Sequence, residues 1–181
     1  MYADNTLTPK EAIRLCALGT LAADPMRYAS LANAVRHFTQ HMLGPSLDLM
    51  GTSIELLKYE GLVEAVEGEG MTDDALLRIT GTGRDELHTL LTAPLRSGAA
   101  ELNKLIVALK FRFLHLLKTD EQIAQAELLM DACENELARL DDLRSHHAED
   151  RGFVVQWLDH EIAQVESRLE WLGSIRAAID S

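Results

Sequence analysis

Cysteine is nearly absent from this chain. Only Cys16 and Cys133 occur in 181 residues, each within an apolar helical pattern, so neither a disulfide framework nor a zinc site of paired cysteines is indicated. Two buried, reduced thiols are expected. Basic residues are also scarce: 17 Lys and Arg stand against 29 Asp and Glu, a formal net charge of −12. A chain that coats nucleic acid without regard to sequence is ordinarily basic, whereas sequence-specific docking depends on the local potential of one face rather than on the total. Seven basic and thirteen acidic residues lie up to Leu95, with ten and sixteen beyond it, so the acidic excess is no mere tail.

No apolar run approaches the ~18 residues of a membrane span. The acidic start Met1-Tyr2-Ala3-Asp4 lacks the charge and apolar core of a signal peptide, which makes the cytoplasm the expected location and a membrane an unexpected partner. Gly-rich phosphate loops, nucleophile elbows and paired catalytic carboxylates are missing at useful spacing. The expectation is therefore a protein that is not an enzyme and carries no cofactor. His37 and His41 stand four apart, but the helix is expected to fray before His41 and no third ligand is evident, so no metal is expected. His146 and His147 read as solvated residues at a hairpin tip.

What is present is helix punctuation. Thr8-Pro9-Lys10-Glu11 offers an N-cap, a proline at the first helical position and a capping-box acid; Ile13, Leu15, Cys16, Leu18 and Leu21 follow. Asp24-Pro25 stops that helix. A second is predicted over 28–38, and a third over 46–60, with Leu49, Met50, Ile54 and Leu57 inward and Asp48, Thr52 and Glu55 outward. Gly61 is the natural stop. A two-strand ribbon follows, turned at Gly68-Glu69-Gly70, and Thr80 caps a further helix to about Thr92. Helix, strand, strand, helix in that order reads as a winged helix-turn-helix.

Ala93-Pro94-Leu95-Arg96-Ser97-Gly98 marks the expected hinge, giving a winged-helix domain at 1–95 and a helical dimerisation domain at 96–181. Downstream, 101–118 is densely apolar and should be wedged between other elements. Thr119-Asp120-Glu121-Gln122 reads as a second capping box, opening a long helix with Ile123, Met130, Cys133, Leu137 and Leu140 near heptad spacing. After Arg151-Gly152 the last helix carries Trp157, Leu158, Ile162, Val165, Leu169 and Leu172. The fold class is thus mainly α with a small two-stranded β-wing, followed by a long antiparallel, coiled-coil-like hairpin. Apolar stripes on so few helices would be poorly covered in a monomer, so a homodimer is expected, with Leu158, Ile162, Val165, Leu169 and Leu172 at its interface.

Taken together, the runs 24–31, 54–63 and 80–87, then 111–117 and Arg168-Leu169-Glu170-Trp171-Leu172, resemble the PadR family of bacterial transcriptional regulators over nearly the whole chain. The resemblance implies a dimer held by C-terminal helices, presenting two recognition helices to palindromic double-stranded DNA, and repression released by small molecules. Tyr28 stands where the family has a Tyr opening its second helix, although Met26-Arg27 replaces the usual His-Gly. Gly51 occupies a position where the family commonly shows an aromatic ring. The DNA-contact candidates are Arg27, Tyr28, Arg36, Ser46, Thr52, Lys58 and Arg78.

Against these stand Glu64, Glu67, Glu69, Asp73 and Asp74 around Arg78 in the wing, whose carboxylates repel phosphate. The alternative reading is therefore an interaction or adaptor module that kept the winged-helix fold, lost most DNA contact and engages a basic partner. Trp157 and Trp171 lie two heptads apart on a similar helical face. They are read either as a binding surface for a planar aromatic effector or as filling of the dimer core.

Overall fold

The computed structural model describes residues 6–43, 50–68, 74–96 and 100–180, without the side chains of 50–53. Two compact units result, Met1–Leu116 and Leu117–Ser181.

In the first unit, α1 (Pro9–Leu21) starts as its sequence dictates. Thr8 Oγ1 accepts the Glu11 N–H at 3.3 Å, and Glu11 Oε2 accepts the Thr8 N–H at 2.7 Å, closing the capping box. Ala12, Ile13, Leu15, Cys16, Ala17, Leu18 and Leu21 are all buried, and a helix with so much of its circumference apolar belongs in a core. Around it lie α2 (Tyr28–Leu43), α3 (Met50–Tyr59), α4 (Gly81–Thr92) and α5 (Ala100–Phe113). At the surface Arg14 of α1 reaches Glu60, just past the end of α3, at 2.8 Å and Glu86 of α4 at 3.1 Å. α2 runs five residues past the expected end at Phe38, so the anticipated fraying before His41 does not occur; Thr39 is buried and returns its hydroxyl to the Val35 carbonyl at 2.9 Å.

The end of α3 is set by Gly61, whose φ of +74° only glycine adopts without strain. Its N–H donates to the Lys58 carbonyl at 3.0 Å and that of Leu62 to the Leu57 carbonyl at 2.8 Å, the paired closure of a Schellman motif. The chain then enters β2 (Val63–Glu67) and returns as β3 (Leu76–Ile79). A third strand, β1 (Met26–Arg27), was not expected; it pairs antiparallel with β3, giving the order β1-β3-β2. Two residues carry no period, and Asp24-Pro25 reads simply as a break, so the sequence hides this strand. Val63, Leu77 and Ile79 face inward, while Glu64 and Arg78 sit opposite one another on the outer face.

α5 packs on α1 and α2 through buried Leu105, Ile106, Leu109 and Phe113. The compact unit consequently extends to Leu116 and includes a short 3-10 turn over Leu114–Leu116, beyond the boundary expected at 95/96. That apolar density demands covering, and α1 and α2 supply it.

Within α5, Lys110 is buried, and its Nζ donates to the Leu91 carbonyl at 2.6 Å near the end of α4. Burial pushes its pKa down to about 8. Below that pH the ammonium is charged in both folded and unfolded chains, and its desolvation cost is fully present. From about pH 8 the folded protein releases the proton first, so the unfolded chain binds more protons and stability rises until the ordinary value of 10.5 is passed. Compared with Lys110→Met, the natural chain should gain up to about 3 kcal/mol across this window, measured by urea melts of both proteins. Parallel pH curves would contradict it.

The second unit is a helical hairpin of α6 (Thr119–His146) and α7 (Val154–Ile179). The expected cap at Thr119 is displaced by one residue: Lys118 is the N-cap, Glu121 closes onto the Lys118 N–H at 3.1 Å, and Gln122 donates to the Leu117 carbonyl at 2.8 Å. Gln125, Ala126, Leu129 and Cys133 line the buried side of α6, against Leu158, Val165 and Leu172 of α7. Of the stripe expected on α6, Cys133 alone is fully covered, while Ile123, Met130, Leu137 and Leu140 are half-buried. Ion pairs fasten both ends of the hairpin, Arg144 with Asp159 near the turn and Arg176 with Glu127 at 2.9 Å far from it. The Arg144 hydrogen bond holds the Asp159 carboxyl below its ordinary pKa.

Candidate nucleic-acid interface

α3 and the strands that follow it form the surface on which a recognition helix and wing would act. Thr80 fixes their geometry. Its N–H donates to the Leu62 carbonyl at 3.0 Å, its hydroxyl to the Gly61 carbonyl at 2.7 Å, and the same oxygen accepts the Gly83 N–H at 3.0 Å. One residue thus locks the end of α3 to the start of α4.

The expected contact residues fare differently on this frame. Arg78 lies across the ladder from Glu64, with Nε 3.0 Å from Oε1. Arg27, 53% exposed, hydrogen-bonds the Asp74 carbonyl and lies 4.0 Å from Glu67. Both guanidiniums are therefore engaged by the acidic wing itself. Arg36 is exposed on α2 and donates to Asn33 at 3.0 Å. Tyr28 opens α2, half-buried, and its N–H donates to the Ala75 carbonyl at 2.9 Å. Lys58 is half-buried in the last turn of α3. Thr52 lies within α3, but its side chain is outside the described residues, as are Ser46, Glu69 and Asp73 entirely.

Sequence reasoning passed over Tyr59, which is 90% exposed at the end of α3, together with exposed Leu56 and Val66. Tyr59 continues the outward series through Thr52 and Glu55 at helical spacing, so the signal for it was available.

The C-terminal candidates also separate. Leu158, Val165 and Leu172, expected between copies, are 0–4% exposed within a single hairpin and have almost no surface left for a partner. Ile162 and Leu169 are half-buried. Trp157 and Trp171, in contrast, are 54% and 48% exposed. Beside Trp171 is an open depression of about 500 Å³, lined by His160, Ala163, Gln164, Ser167 and Arg168, all from α7. A site with one helical wall cannot enclose most of a ligand's surface.

His37 and His41 stack on α2 with ring centroids 4.2 Å apart, and among the described residues no group of three or more His, Cys, Asp or Glu is placed to hold a metal. No helix among them is long and apolar enough to cross a membrane.

Three solved structures of PadR from Bacillus subtilis are similar to this chain. One has 16% sequence identity and a TM-score of 0.41, covering 97% of this chain and 99% of that one. A second, a complex with p-coumaric acid, has 17% identity and a TM-score of 0.38 over 94% and 99% of the two chains. The third, a complex with operator DNA, has 16% identity and a TM-score of 0.37 over 92% and 96%. No curated protein matches. A family model described as "Putative AphA-like transcriptional regulator" matches residues 2–176, nearly the entire sequence. The chain belongs to this family of AphA-like transcriptional regulators.

Proposed function

We propose that this protein regulates transcription by binding palindromic double-stranded DNA as a homodimer, acting as a repressor that a small planar aromatic molecule releases. The winged-helix part would contact DNA and the C-terminal hairpin would join the copies. The observation that carries the DNA-binding reading is the Thr80 clamp, which sets α3 and the sheet in a fixed relation with Glu55, Leu56 and Tyr59 of α3 exposed. Lys58 and Arg36 supply cationic contacts for phosphate, while Thr52 and Tyr59 sit on the helix that would meet base edges. The exposed faces of Trp157 and Trp171 support the aromatic effector.

Titration of a labelled duplex from the region upstream of the protein's own gene tests this reading. Binding should weaken steeply as salt rises, and Lys58→Ala should weaken it on all duplexes alike, flattening the dependence of log K on log salt by about 1.

A second reading is favoured by the wing. With Arg27 and Arg78 turned onto carboxylates and Tyr59 open to solvent, the same surface suits a basic protein partner. Equally poor binding to every duplex, insensitive to Lys58→Ala, would select this adaptor function instead.

A further inference from the structure

One carboxylate on the outward face of α3 has no counter-charge. Glu60, Glu64 and Glu67, which follow it in the chain, are each held by an arginine, Arg14, Arg78 and Arg27 in turn. Glu55 is exposed, and among the described residues its carboxylate has neither a hydrogen bond nor an ion pair. Ile54 and Leu57 turn into the core, so Glu55, Leu56 and Tyr59 point away from it. No cation of α3 shares that face, since Lys58 follows Ile54 by four residues. A bare negative charge beside exposed Leu56 and Tyr59 is unsuited to phosphate but suited to a hydrogen-bond donor.

From this arrangement, and resting on the DNA binding proposed above, we infer that Glu55 selects cytosine at one position of the bound DNA, accepting a hydrogen bond from the 4-amino group in the major groove. An ionised carboxylate can only accept, and the groove presents two kinds of donor, the amino groups of cytosine and of adenine. Adenine sets its N7 lone pair beside the amino group, where it repels the second carboxylate oxygen; cytosine has a C–H there. Guanine and thymine turn acceptors towards the helix. Against them Glu55 loses its water and gains no partner, close to phosphate. Leu56 and Tyr59 flank the carboxylate and exclude water once the helix is seated, which sharpens the choice. The acid thus weakens binding to most sequences, and discrimination is what the protein gains.

Selection from a pool of random duplexes, with the full natural chain and with Glu55→Ala, reads the preference at every position. The natural chain should enrich cytosine at one position by about tenfold or more over guanine and thymine. Glu55→Ala should lose that preference alone, while its affinity for unrelated duplexes rises roughly threefold because a charge facing phosphate has gone. Glu55→Gln should shift the position towards adenine, whose amino group and N7 an amide satisfies together. Placing 2-pyrimidinone, which lacks only the amino group, where the cytosine stood should cost the natural chain about tenfold and Glu55→Ala nothing. Both substitutions fall at an exposed position, so the fold is retained. Identical selected sequences for the natural chain and Glu55→Ala, or a Glu55-dependent preference for another base, would overturn the cytosine assignment and leave DNA binding standing. A natural chain that binds no duplex would overturn both.

Discussion

Gly83→Ala is expected to destabilise the protein by about 2–4 kcal/mol, although replacing glycine in an exposed helix usually stabilises it by up to about 1 kcal/mol. The reversal of sign comes from packing. A Cβ at residue 83 would lie 2.1 Å from the Leu62 carbonyl oxygen and 2.8 Å from Ile79 Cγ1, and a backbone oxygen cannot swing aside as a flexible side chain can. The first turn of α4 would have to lift, stretching the Thr80 hydrogen bonds to Leu62 and to Gly83. Since those bonds also fix α3 against the sheet, DNA affinity should fall with stability. Gly81→Ala is the control, because nothing lies within 4 Å of a Cβ there. Thermal and urea melts should show the first variant markedly weakened and the second unchanged or slightly strengthened. Equal behaviour of the two would refute the close-approach argument.

Glu64→Gln combined with Glu67→Gln should tighten DNA binding by roughly two orders of magnitude at low salt. In the natural chain Glu64 engages Arg78 across the ladder, and Glu67 lies beside Arg27. If the wing meets DNA as proposed, the amides remove two negative charges facing phosphate and free two guanidiniums to release counterions, so log K against log salt should steepen by about 1.8. Folding stability should change little, because these pairs are solvent-exposed and worth at most about 1 kcal/mol each. A double variant with the natural affinity and salt slope would show that the wing does not approach DNA, favouring the adaptor function.

Where local chemistry decides structure, the sequence was readable. The Thr8 capping box, the Gly61 stop and the Thr80 cap each act over three or four residues, and all three stand where the pattern put them. Strand β1 was not legible, because it exists only through its pairing with β3. The extra turn of α2 was missed for a related reason: Thr39 is held by packing and by the Val35 carbonyl rather than by helix propensity. At the site, residue type revealed the acidic wing but not its consequence. That Arg27 and Arg78 turn towards it follows from strand register, which a linear pattern does not contain. In the hairpin, heptad spacing identified Leu158, Val165 and Leu172 as apolar contacts, while α6 of the same chain proved to be what covers them.

β2 forms one border of the sheet, and an extra residue, Val66, interrupts its ladder between Ala65 and Glu67. Irregular borders carrying charge resist the addition of further strands. The carboxylates set against phosphate in the proposed DNA-binding reading therefore also disfavour the edge-to-edge addition of a strand. A variant selected only for tighter operator binding would surrender that guard, so its solubility in concentrated solution should be followed alongside its affinity.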